Sequence, residues 1–589
     1  MKVRFEPGGA EVEVPRGITV MEAAVRAGLS VDAPCGGRGR CGKCRVRIVS
    51  VAGAAEATEL QHLTTDEITA GMRLACVHRL TSDAVVETPS ALFGNLTGGS
   101  LTVGNPIAGS LTAGIHTARR VSWSFDSADR KGHVLIASRR PDPYVERVPS
   151  WTGAFLGVAA DIGTTTIACY LWDLTDGRLL GSVSVANPQA IHGADVMSRI
   201  SYAASGRSAL DTLRREAVEA VNNLVRKVTC SAGASPADVF ELTVVGNTCM
   251  HHLFLGLDPA QLGSYPYIPS VTEPLVLRPG QVGVDINPAG AVLVLPNVAG
   301  YVGADAVGMM LALDLDTLPG TTLAVDVGTN TEIALARNGR IVAFSAAAGP
   351  AFEGGHISSG VRAGPGAIDR AWVVHDPLRT APQLEFRVIG GGKPAGICGS
   401  GLVDLVAEFL RLGLVSGRGE IVTHRLGPQP APLPLRERVV QHQGAKAVLV
   451  AGSDVTDHGK PILLTQKDVR EFQLAKGAIL AGVKILMRRM GVSEGQVDRV
   501  MLAGAFGNYL DPGNACVAGL LPLSLASKVT PVGNAAGAGA SAAMLSREEF
   551  ERAGSIARSV EYVELAAEPD FADVFTACVD FGTPLDIGG

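Results

Sequence analysis

The first 90 residues alternate hydrophobic and polar positions in short runs. The alternating apolar residues are Val3, Phe5, Val12 and Val14. This period of two predicts a β-hairpin. Thr19-Val20-Met21-Glu22 is a capping-box sequence, which predicts a helix that ends near Gly28. A strand is predicted over residues 45–49. The pattern therefore indicates a small α+β domain over residues 1–90.

From about residue 155 the pattern changes to continuous apolar runs that end in glycine and threonine. Residues 157–162 precede Gly163-Thr164-Thr165, and residues 323–327 precede Gly328-Thr329-Asn330. Runs of this kind predict buried strands. Each has the same order of aspartate, one apolar residue, glycine, threonine and a polar residue. The two copies predict matching strand–turn–strand units.

The residue types in these turns suit phosphate binding. Glycine allows backbone N–H groups to approach phosphate oxygens, and threonine hydroxyls add donors. Asp161 and Asp326, at the strand ends, can hold Mg²⁺ through water. One such turn resembles many tight β-turns, but two that face each other would clamp one nucleotide from both sides. The pair therefore favours a nucleotide site.

Composition limits the remaining choices. Residues 91–119 are rich in glycine, serine and threonine, which predicts a flexible linker and not a membrane span. We expect residues 120–152 to form a small middle segment, with the first strands of the next domain as the alternative, and residues 153–589 to form the last domain. The net charge of −6 argues against a nucleic-acid partner, and the N-terminus lacks the apolar core of a signal peptide. We expect a cytoplasmic protein with reduced thiols and no membrane partner.

Four cysteines form a compact pattern in a chain that has ten. Cys35, Cys41 and Cys44 lie in a glycine-rich loop with C-x5-C-x2-C spacing, and Cys76 follows at a distance. Four thiolates in this arrangement suit a [2Fe–2S] cluster. Zinc is the alternative, although zinc sites usually use paired C-x2-C knuckles. A disulfide is less compatible with a cytosolic chain. The cluster is the favoured interpretation.

Basic side chains surround this loop. They are Arg38, Arg40, Lys43, Arg45 and Arg47. They predict a docking rim for an acidic redox partner. Solvated charges on a small domain explain them equally well.

The cysteine loop resembles those of plant-type and adrenodoxin-type ferredoxins, which implies a β-grasp fold. The paired turns resemble the phosphate-binding hairpins of the actin, sugar kinase and heat-shock chaperone ATPases. In that superfamily, residues 296–306 correspond to a first connecting helix, 500–508 to an adenosine-binding strand and turn, and 532–540 to a second connecting helix. The resemblance implies a two-lobed ATPase with duplicated ribonuclease-H-like halves.

The combination of these domains resembles the reductive activators of corrinoid proteins. Further strings that carry this likeness are residues 187–189, 193–200, 245–252, 396–402 and 465–478. The resemblance implies that one electron passes from the cluster to the Co(II) corrinoid of a partner protein, driven by Mg-ATP. It also implies an external low-potential electron donor. A homodimer is expected because relatives in the superfamily often pair.

The resemblance assigns roles to individual residues. Asp161 and Asp326 position magnesium or the attacking water, and Asp305 is a candidate for water activation, with a surface carboxylate as the alternative. The adenosine-site candidates are Gly504, Phe506, Gly507 and Lys476. For Lys476, an exposed position on a helix surface is the favoured alternative.

Three other residues invite a metal or catalytic role. Adjacent histidines on a helix point in different directions, so His251 and His252 are interpreted as core or helix-end residues. Cys398 could be catalytic or bridge a second cluster, but a cysteine among glycines is more often structural. No D-x-H-x-x-G string of cobalamin-binding domains occurs, so the corrinoid is expected on a partner.

Three rival functions remain open from the sequence. One is an ATP-driven electron injector for a 2-hydroxyacyl-CoA dehydratase, whose activators share a [4Fe–4S] cluster between subunits. Another is a small-molecule kinase with a redox-sensing domain. The third is a nucleotide-gated binding module in which the cluster is structural.

Overall fold

The computed structural model describes residues 1–6, 9–27, 29–31, 39, 42, 44–50, 53–88, 93–95, 133–137, 145–149, 153–374, 383–422, 433–504 and 510–582. The chain forms two compact units. The first comprises Met1–Leu313 with Ala535–Ser559, and the second comprises Asp314–Asn534 with Val560–Gly589. Each unit is described by itself.

The N-terminal part of the first unit is a mixed sheet with one main helix. Its strands are β1 (Lys2–Glu6), β2 (Ala10–Glu13), β3 (Leu29–Val31), β4 (Arg45–Ile48), β5 (Met72–Leu74) and β6 (Ala84–Glu87), and its helices are α1 (Val20–Arg26) and α2 (Thr65–Thr69). Five of the strands form one sheet in the order β2-β1-β6-β4-β5. The predicted hairpin is β1–β2, and Thr19 and Glu22 make the predicted capping box. The β-grasp prediction is confirmed.

Short strands follow this domain. They are β7 (Phe93–Asn95), β8 (His133–Ala137) and β9 (Val145–Pro149). β7 pairs with β3, so residues 93–95 of the predicted linker add a strand to the N-terminal domain. β8 and β9 pair with each other in the predicted middle segment. Other residues of the predicted linker lie outside the described part.

The rest of the first unit is built on a six-stranded sheet. The strands are β10 (Leu156–Ile162), β11 (Thr166–Asp173), β12 (Arg178–Ala186), β13 (Val239–Val245), β14 (Leu275–Leu277) and β15 (Ala291–Val294). The helices are α3 (Val196–Ala203), α4 (Arg207–Ser231), α5 (Thr248–Leu255), α6 (Pro279–Val282), α7 (Ala304–Ala312), α12 (Ala535–Leu545) and α13 (Arg547–Ser559). The buried face of α4 packs its leucine and valine side chains into the core of this sheet.

The second unit has a six-stranded sheet and two smaller ones. Its strands are β16 (Thr321–Asp326), β17 (Thr331–Arg337), β18 (Arg340–Ala346), β19 (Ala367–Val374), β20 (Gln383–Val388), β21 (Gly396–Ile397), β22 (Val439–His442), β23 (Ala445–Ala451), β24 (Ile462–Thr465), β25 (Arg499–Ala503), β26 (Val529–Gly533) and β27 (Glu561–Tyr562). Its helices are α8 (Gly399–Arg411), α9 (Leu433–Arg436), α10 (Gln466–Met490), α11 (Pro512–Val517) and α14 (Phe571–Val579). Helix α10 crosses its core.

The two large sheets share one topology. The orders are β12-β11-β10-β13-β15 and β18-β17-β16-β25-β26, each extended by one edge strand. In both, an antiparallel meander of three strands is followed by two parallel strands. The predicted glycine–threonine turns join β10 to β11 and β16 to β17. The duplicated-half prediction is therefore confirmed, and both turns lie at the carboxyl edge of their sheets.

The small residues at the start of α12, over 535–540, serve close helix packing inside the first unit. A Cβ atom on Gly539 would lie 1.9 Å from the carbonyl oxygen of Gly308, and one on Gly308 would lie 2.9 Å from that of Ala536. Helices α7 and α12 therefore cross backbone to backbone. Within the described residues, none of the helices combines the length and hydropathy that a membrane crossing requires.

Candidate functional site

Two of the four predicted cluster ligands meet at one end of the N-terminal sheet. Cys44 precedes β4 and Cys76 follows β5, and these strands pair with Arg45 opposite Leu74. The two sulfur atoms lie 3.2 Å apart and both residues are buried. That separation is far beyond a disulfide bond of about 2.05 Å, and it lets both thiolates reach one tetrahedral metal centre. Cys35 and Cys41 lie outside the described residues.

The turn that carries Cys76 is held by backbone hydrogen bonds. The N–H of Ala75 donates to the carbonyl of Cys44 at 2.7 Å, and the N–H of His78 donates to that of Leu74 at 2.9 Å. The first N–H groups of α1, from Val20 and Met21, donate to carbonyls of the same turn. Helix N-terminal donors that lack an intrahelical partner therefore fix the Cys76 turn. The donor set and its fixed backbone fit an iron–sulfur cluster.

The predicted basic rim is partly neutralised. Arg45 Nη1 lies 2.5 Å from a carboxylate oxygen of Glu67, and Arg47 Nη2 lies 2.5 Å from one of Glu87. Arg38, Arg40 and Lys43 lie outside the described residues. The docking-rim interpretation therefore has no support from Arg45 and Arg47, whose charges are satisfied within the domain.

The first glycine–threonine turn is closed tightly after β10. The N–H of Gly163 donates to the carbonyl of Thr166 at 2.9 Å, and a Cβ atom at position 163 would lie 2.7 Å from that oxygen. The N–H of Asn187 donates to the carbonyl of Thr165 at 2.8 Å. Glycine is therefore required at position 163, because no side chain fits at this close approach.

Two asparagines support the same turn from the side. Asn187 Nδ2 donates to the carbonyl of Gly163 at 2.8 Å, and Asn247 Nδ2 donates to Thr164 Oγ1 at 2.9 Å. Asn247 also caps α5 by accepting from the N–H of Met250. The turn and the start of α5 are thus joined through one side chain.

A buried arginine lies behind this turn. Arg199, on α3, is 0% exposed and donates to the carbonyl of Thr164. It also donates to the carbonyl of Gly193, to Gln189 Oε1 and to Met250 Sδ, at distances of 2.9 to 3.1 Å. Arg199 therefore connects the turn to the segment before α3, through Gln189 and Gly193, and to α5, through Met250.

Two of the predicted acidic residues lie near each other at this sheet edge. Asp161 is at the end of β10, and Asp305 is in the first turn of α7. The N–H of Asp305 donates to the carbonyl of Gly246, which follows β13. Withdrawal from water, together with the charge of Asp161, raises the pKa of Asp305 to about 7 in spite of a hydrogen bond from the N–H of Ala306. Asp305 is partly buried, and its raised pKa suits a group that exchanges protons near neutral pH.

The second turn has its own support inside the second unit. The N–H of Thr329 donates to Glu353 Oε1 at 3.1 Å, and the carbonyl of Thr329 accepts from the N–H of Gly349. Thr331 Oγ1 donates to the carbonyl of Gly328 at 3.3 Å. A carboxylate oxygen thus binds a turn N–H as a phosphate oxygen would. Asn330 completes the turn.

Gly504 brings the end of β25 against the end of β16. It has φ +99°, and a Cβ atom there would lie 2.7 Å from Asp326 Oδ1 and 2.8 Å from the carbonyl of Val327. Only glycine tolerates both the conformation and the contact. The other two residues predicted for this turn, Phe506 and Gly507, lie outside the described residues.

Lys476 does not lie on a helix surface, so that alternative is wrong. It is 1% exposed on α10, its Nζ donates to the carbonyl of Asp580, and it lies 5.0 Å from the ring centre of Phe581. Burial lowers the pKa of Lys476 to about 8. The C-terminal segment covers this lysine, and its assignment to the adenosine site stays a prediction.

The histidine pair is buried, as the sequence indicated. His252 Nδ1 donates to the carbonyl of Thr248 and its Nε2 accepts from the N–H of Ser270. Neither ring nitrogen of His251 has a hydrogen-bond partner among the described residues. Burial and the neighbouring His252 lower the pKa of His251 to about 3. Both rings are neutral core groups.

Cys398 is also a core residue. Its thiol donates to the carbonyl of Ile368 at 3.3 Å, and burial raises its pKa. A Cβ atom on Gly401 would lie 2.3 Å from the same carbonyl oxygen. The Cys-Gly-Ser-Gly sequence therefore serves the close approach of α8 to β19, which is a structural role.

Sequence analysis did not single out the residues that support the turns. These are Asn187, Gln189, Arg199, Asn247, Met250 and Glu353. Five of them lie in the strings that carried the family resemblance, which was their one signal. Glu353 had none.

Three family models match the chain. The "2Fe-2S iron-sulfur cluster binding domain" matches residues 3–81, the "RACo middle region" matches 156–318, and the "C-terminal domain of RACo the ASKHA domain" matches 320–583. The last two together cover the described residues of both large sheets. They divide the segment that was predicted as one ATPase domain.

Two curated relatives and one solved structure match most of the chain. "Corrinoid activation enzyme RamQ" of Eubacterium limosum is 31% identical over 606 residues, 99% of each chain. "[Co(II) methylated amine-specific corrinoid protein] reductase" of Methanosarcina barkeri is 26% identical over 463 residues, 73% of this chain and 78% of that protein. The structure of "Reductive activator for corrinoid,iron-sulfur protein" covers 98% of both chains at 30% identity with a TM-score of 0.67.

Proposed function

The chain belongs to the RACo family of reductive activators of corrinoid proteins, and we propose that it is an ATP-dependent activator of this kind. In the proposed reaction, one electron passes to the Co(II) corrinoid of a partner protein and restores Co(I) for methyl transfer. ATP hydrolysis drives the step. The observation that carries the proposal is that a ferredoxin-type thiol pair, Cys44 and Cys76, occurs in one chain with two matching Asp–Gly–Thr turns.

We propose that Cys35, Cys41, Cys44 and Cys76 hold a [2Fe–2S] cluster. When bound, such a cluster supplies one-electron chemistry at low potential. The chain's own contribution is to fix two of the thiolates by the Cys44–Ala75 backbone bond and by the start of α1. Burial of Cys44 and Cys76 also keeps water from their sulfur atoms.

The nucleotide roles follow the two turns. Gly163, Thr164 and Thr165 cradle phosphate oxygens in one half, and Gly328, Thr329 and Asn330 do so in the other. Asp161 and Asp326 position Mg²⁺ or the attacking water, and Asp305 accepts a proton from that water. Gly504, Phe506, Gly507 and Lys476 are proposed to lie near adenosine.

The proposed partners complete the cycle. A corrinoid-binding protein of a methyl-transfer system carries the cobalt, and an external low-potential donor reduces this chain. We propose that the chain acts as a homodimer in the cytoplasm. The boundaries proposed for its parts are 1–90, 91–119, 120–152 and 153–589.

The test is anaerobic reduction of a Co(II) corrinoid protein, followed in the visible spectrum. The purified protein is reduced, mixed with a Co(II) corrinoid protein of a methyl-transfer system, and compared with and without Mg-ATP. ATP-dependent formation of Co(I) is expected. Cys41→Ala and Asp326→Ala should each abolish it.

Two matched variants control for nonspecific damage. Cys230 is an exposed cysteine and Asp176 is a half-exposed aspartate paired with Arg178. Cys230→Ala and Asp176→Ala should retain Co(I) formation. If cobalt stays Co(II) with several corrinoid proteins while the cluster is reduced and reoxidised normally, the electron acceptor is a different enzyme.

A further inference from the structure

Glu59 is a carboxylate at the centre of the ferredoxin-type domain, and it is 0% exposed. It begins the short 3₁₀ helix Glu59–Gln61. Its Oε1 accepts from the N–H of Leu74 at 2.7 Å, and its Oε2 accepts from the N–H of Glu56 at 2.7 Å. Oε2 also lies 3.2 Å from Nδ1 of His78.

These contacts lie on both sides of a cluster ligand. Leu74 is two residues before Cys76 and His78 is two residues after it, and the N–H of His78 closes the turn on the carbonyl of Leu74. Glu59 therefore contacts both ends of the five-residue turn that carries the Cys76 thiolate, at Leu74 and at His78. Its carboxylate is fixed behind that turn, inside the domain core.

The carboxylate is ionised at neutral pH. Burial alone would raise the pKa of Glu59, but the hydrogen bonds from His78 and from the N–H groups of Leu74 and Glu56 outweigh burial and hold the pKa below its ordinary value. An ionised group in such a position is a fixed negative charge in a region of low dielectric, where charges interact more strongly than in water.

We propose that Glu59 tunes the cluster site, because its buried negative charge behind Cys76 opposes the addition of an electron there. The bound cluster thereby becomes a stronger reductant. This is a positioning and electrostatic role that acts through the Cys76 turn. The inference rests on the [2Fe–2S] part of the proposed function and is independent of the ATP and corrinoid parts.

A purely structural role makes a different prediction. Glutamine at position 59 retains one oxygen that accepts from the N–H of Leu74, loses the acceptor for the N–H of Glu56, and removes the charge. If Glu59 served only to hold the Cys76 turn through the N–H of Leu74, Glu59→Gln would leave the reduction potential unchanged. If the charge matters, the potential rises even though the turn is intact.

The experiment is a redox titration of the full-length holoprotein, without ATP and without a corrinoid partner. The reduced cluster is quantified by its electron paramagnetic resonance signal against mediator dyes. At the wild-type midpoint, Glu59→Gln should show a reduced-to-oxidised ratio about three- to tenfold higher, where tenfold corresponds to about 59 mV for one electron. An unchanged ratio with an intact cluster overturns the proposal.

The matched control is Glu87→Gln in the same domain. Glu87 is exposed and paired with Arg47 on the sheet surface, where solvent screens its charge. Its midpoint should equal that of the wild type. An equal shift in both variants would also overturn the proposal, because it would mean that any lost carboxylate has this effect.

Glu59→Asp keeps the proposal testable if Glu59→Gln does not retain its cluster. Aspartate preserves the charge but withdraws it from Leu74 by one methylene. Its potential should lie above that of the wild type by a smaller amount. A potential at or below that of the wild type would contradict the proposal.

Discussion

Arg199 Nη2 donates a hydrogen bond to the carbonyl oxygen of Thr164, in the middle of the first glycine–threonine turn. Because a peptide unit is planar and trans, this bond directs the N–H of Thr165 away from the arginine. One buried side chain therefore sets the orientation of a peptide that is proposed to bind phosphate. Its positive charge also lies directly behind the turn.

Arg199→Lys should weaken the binding of an ATP analogue by roughly ten- to a hundredfold. A lysine ammonium cannot reproduce the planar fork that reaches Thr164, Gly193 and Gln189 together, and each lost bond to a charged group costs about 1.5–3 kcal/mol. The measurement is fluorescence titration with a labelled nucleotide. The cluster absorption reports whether the protein is intact.

Arg207→Lys is the control for this substitution. Arg207 is exposed at the start of α4 and paired with Asp211, so its replacement should leave nucleotide affinity within about twofold, as for an exposed pair. Unchanged affinity in Arg199→Lys as well would show that the turn does not depend on the arginine.

Asp305→Asn should stabilise the nucleotide-free protein more at pH 8 than at pH 5. The pKa of Asp305 is about 7 in the folded state, against an ordinary value of 3.8, so between these two values the folded state holds a proton that the unfolded state releases. The free energy of unfolding of the wild type therefore falls as pH rises from about 4 to about 7, by up to about 1.36 kcal/mol per pH unit. Asparagine removes that loss. Melting temperatures in EDTA at the two pH values test it.

The same variant should lose ATP hydrolysis by about a hundredfold or more if Asp305 accepts the proton of the attacking water. Asp285→Asn is the control, because Asp285 is exposed in the same unit and paired with Arg226. It should change neither the pH profile of stability nor the hydrolysis rate. If Asp305→Asn hydrolysed ATP at the wild-type rate, Asp305 would not be the group that accepts the proton.

The features that the sequence predicted well are those determined by neighbouring residues. The Thr19 capping box needs only a partner three residues away, and the closure of the Gly163 turn needs only Thr166. Such signals are complete within a few positions of the chain. The elements that carry the turns, and the repetition of the sheet, could therefore be predicted from pattern alone.

The features that it missed depend on contacts distant in sequence. Arg199 meets Thr164 across 35 positions, and Asn247 meets it across 83. Lys476 is buried because the C-terminal segment folds over α10, and nothing in the local pattern around position 476 indicates that cover. Lys476 was therefore interpreted as exposed or ligand-binding, because its burial depends on tertiary contacts that the local sequence does not show.

His251→Met should stabilise the protein, and more so at low pH. Burial holds the pKa of His251 at about 3 in the folded state, against an ordinary value of 6.5. The unfolded state therefore binds the proton first as pH falls below 6.5, and wild-type stability decreases by up to about 1.36 kcal/mol per unit. The increase in melting temperature should be larger at pH 5.5 than at pH 8.

His252→Met should have the opposite effect. His252 makes two hydrogen bonds, to Thr248 and from Ser270, and methionine can make neither, at a cost of about 0.5–1.5 kcal/mol each. Lower melting temperatures are expected at both pH values. If both variants shifted the melting temperature by the same amount, the hydrogen bonds of His252 would not contribute to stability.

Gly539→Ala and Gly554→Ala should change stability in opposite directions. In α12, a Cβ atom at position 539 would lie 1.9 Å from the carbonyl oxygen of Gly308, so the two helices must separate, at a cost of roughly 1–3 kcal/mol. In α13, a Cβ atom at position 554 meets no atom closer than 3.4 Å, and alanine is preferred over glycine in a helix by about 1 kcal/mol. Thermal unfolding of the two variants should therefore move below and above the wild type. A stable Gly539→Ala protein would show that the crossing of α7 and α12 has room for a methyl group.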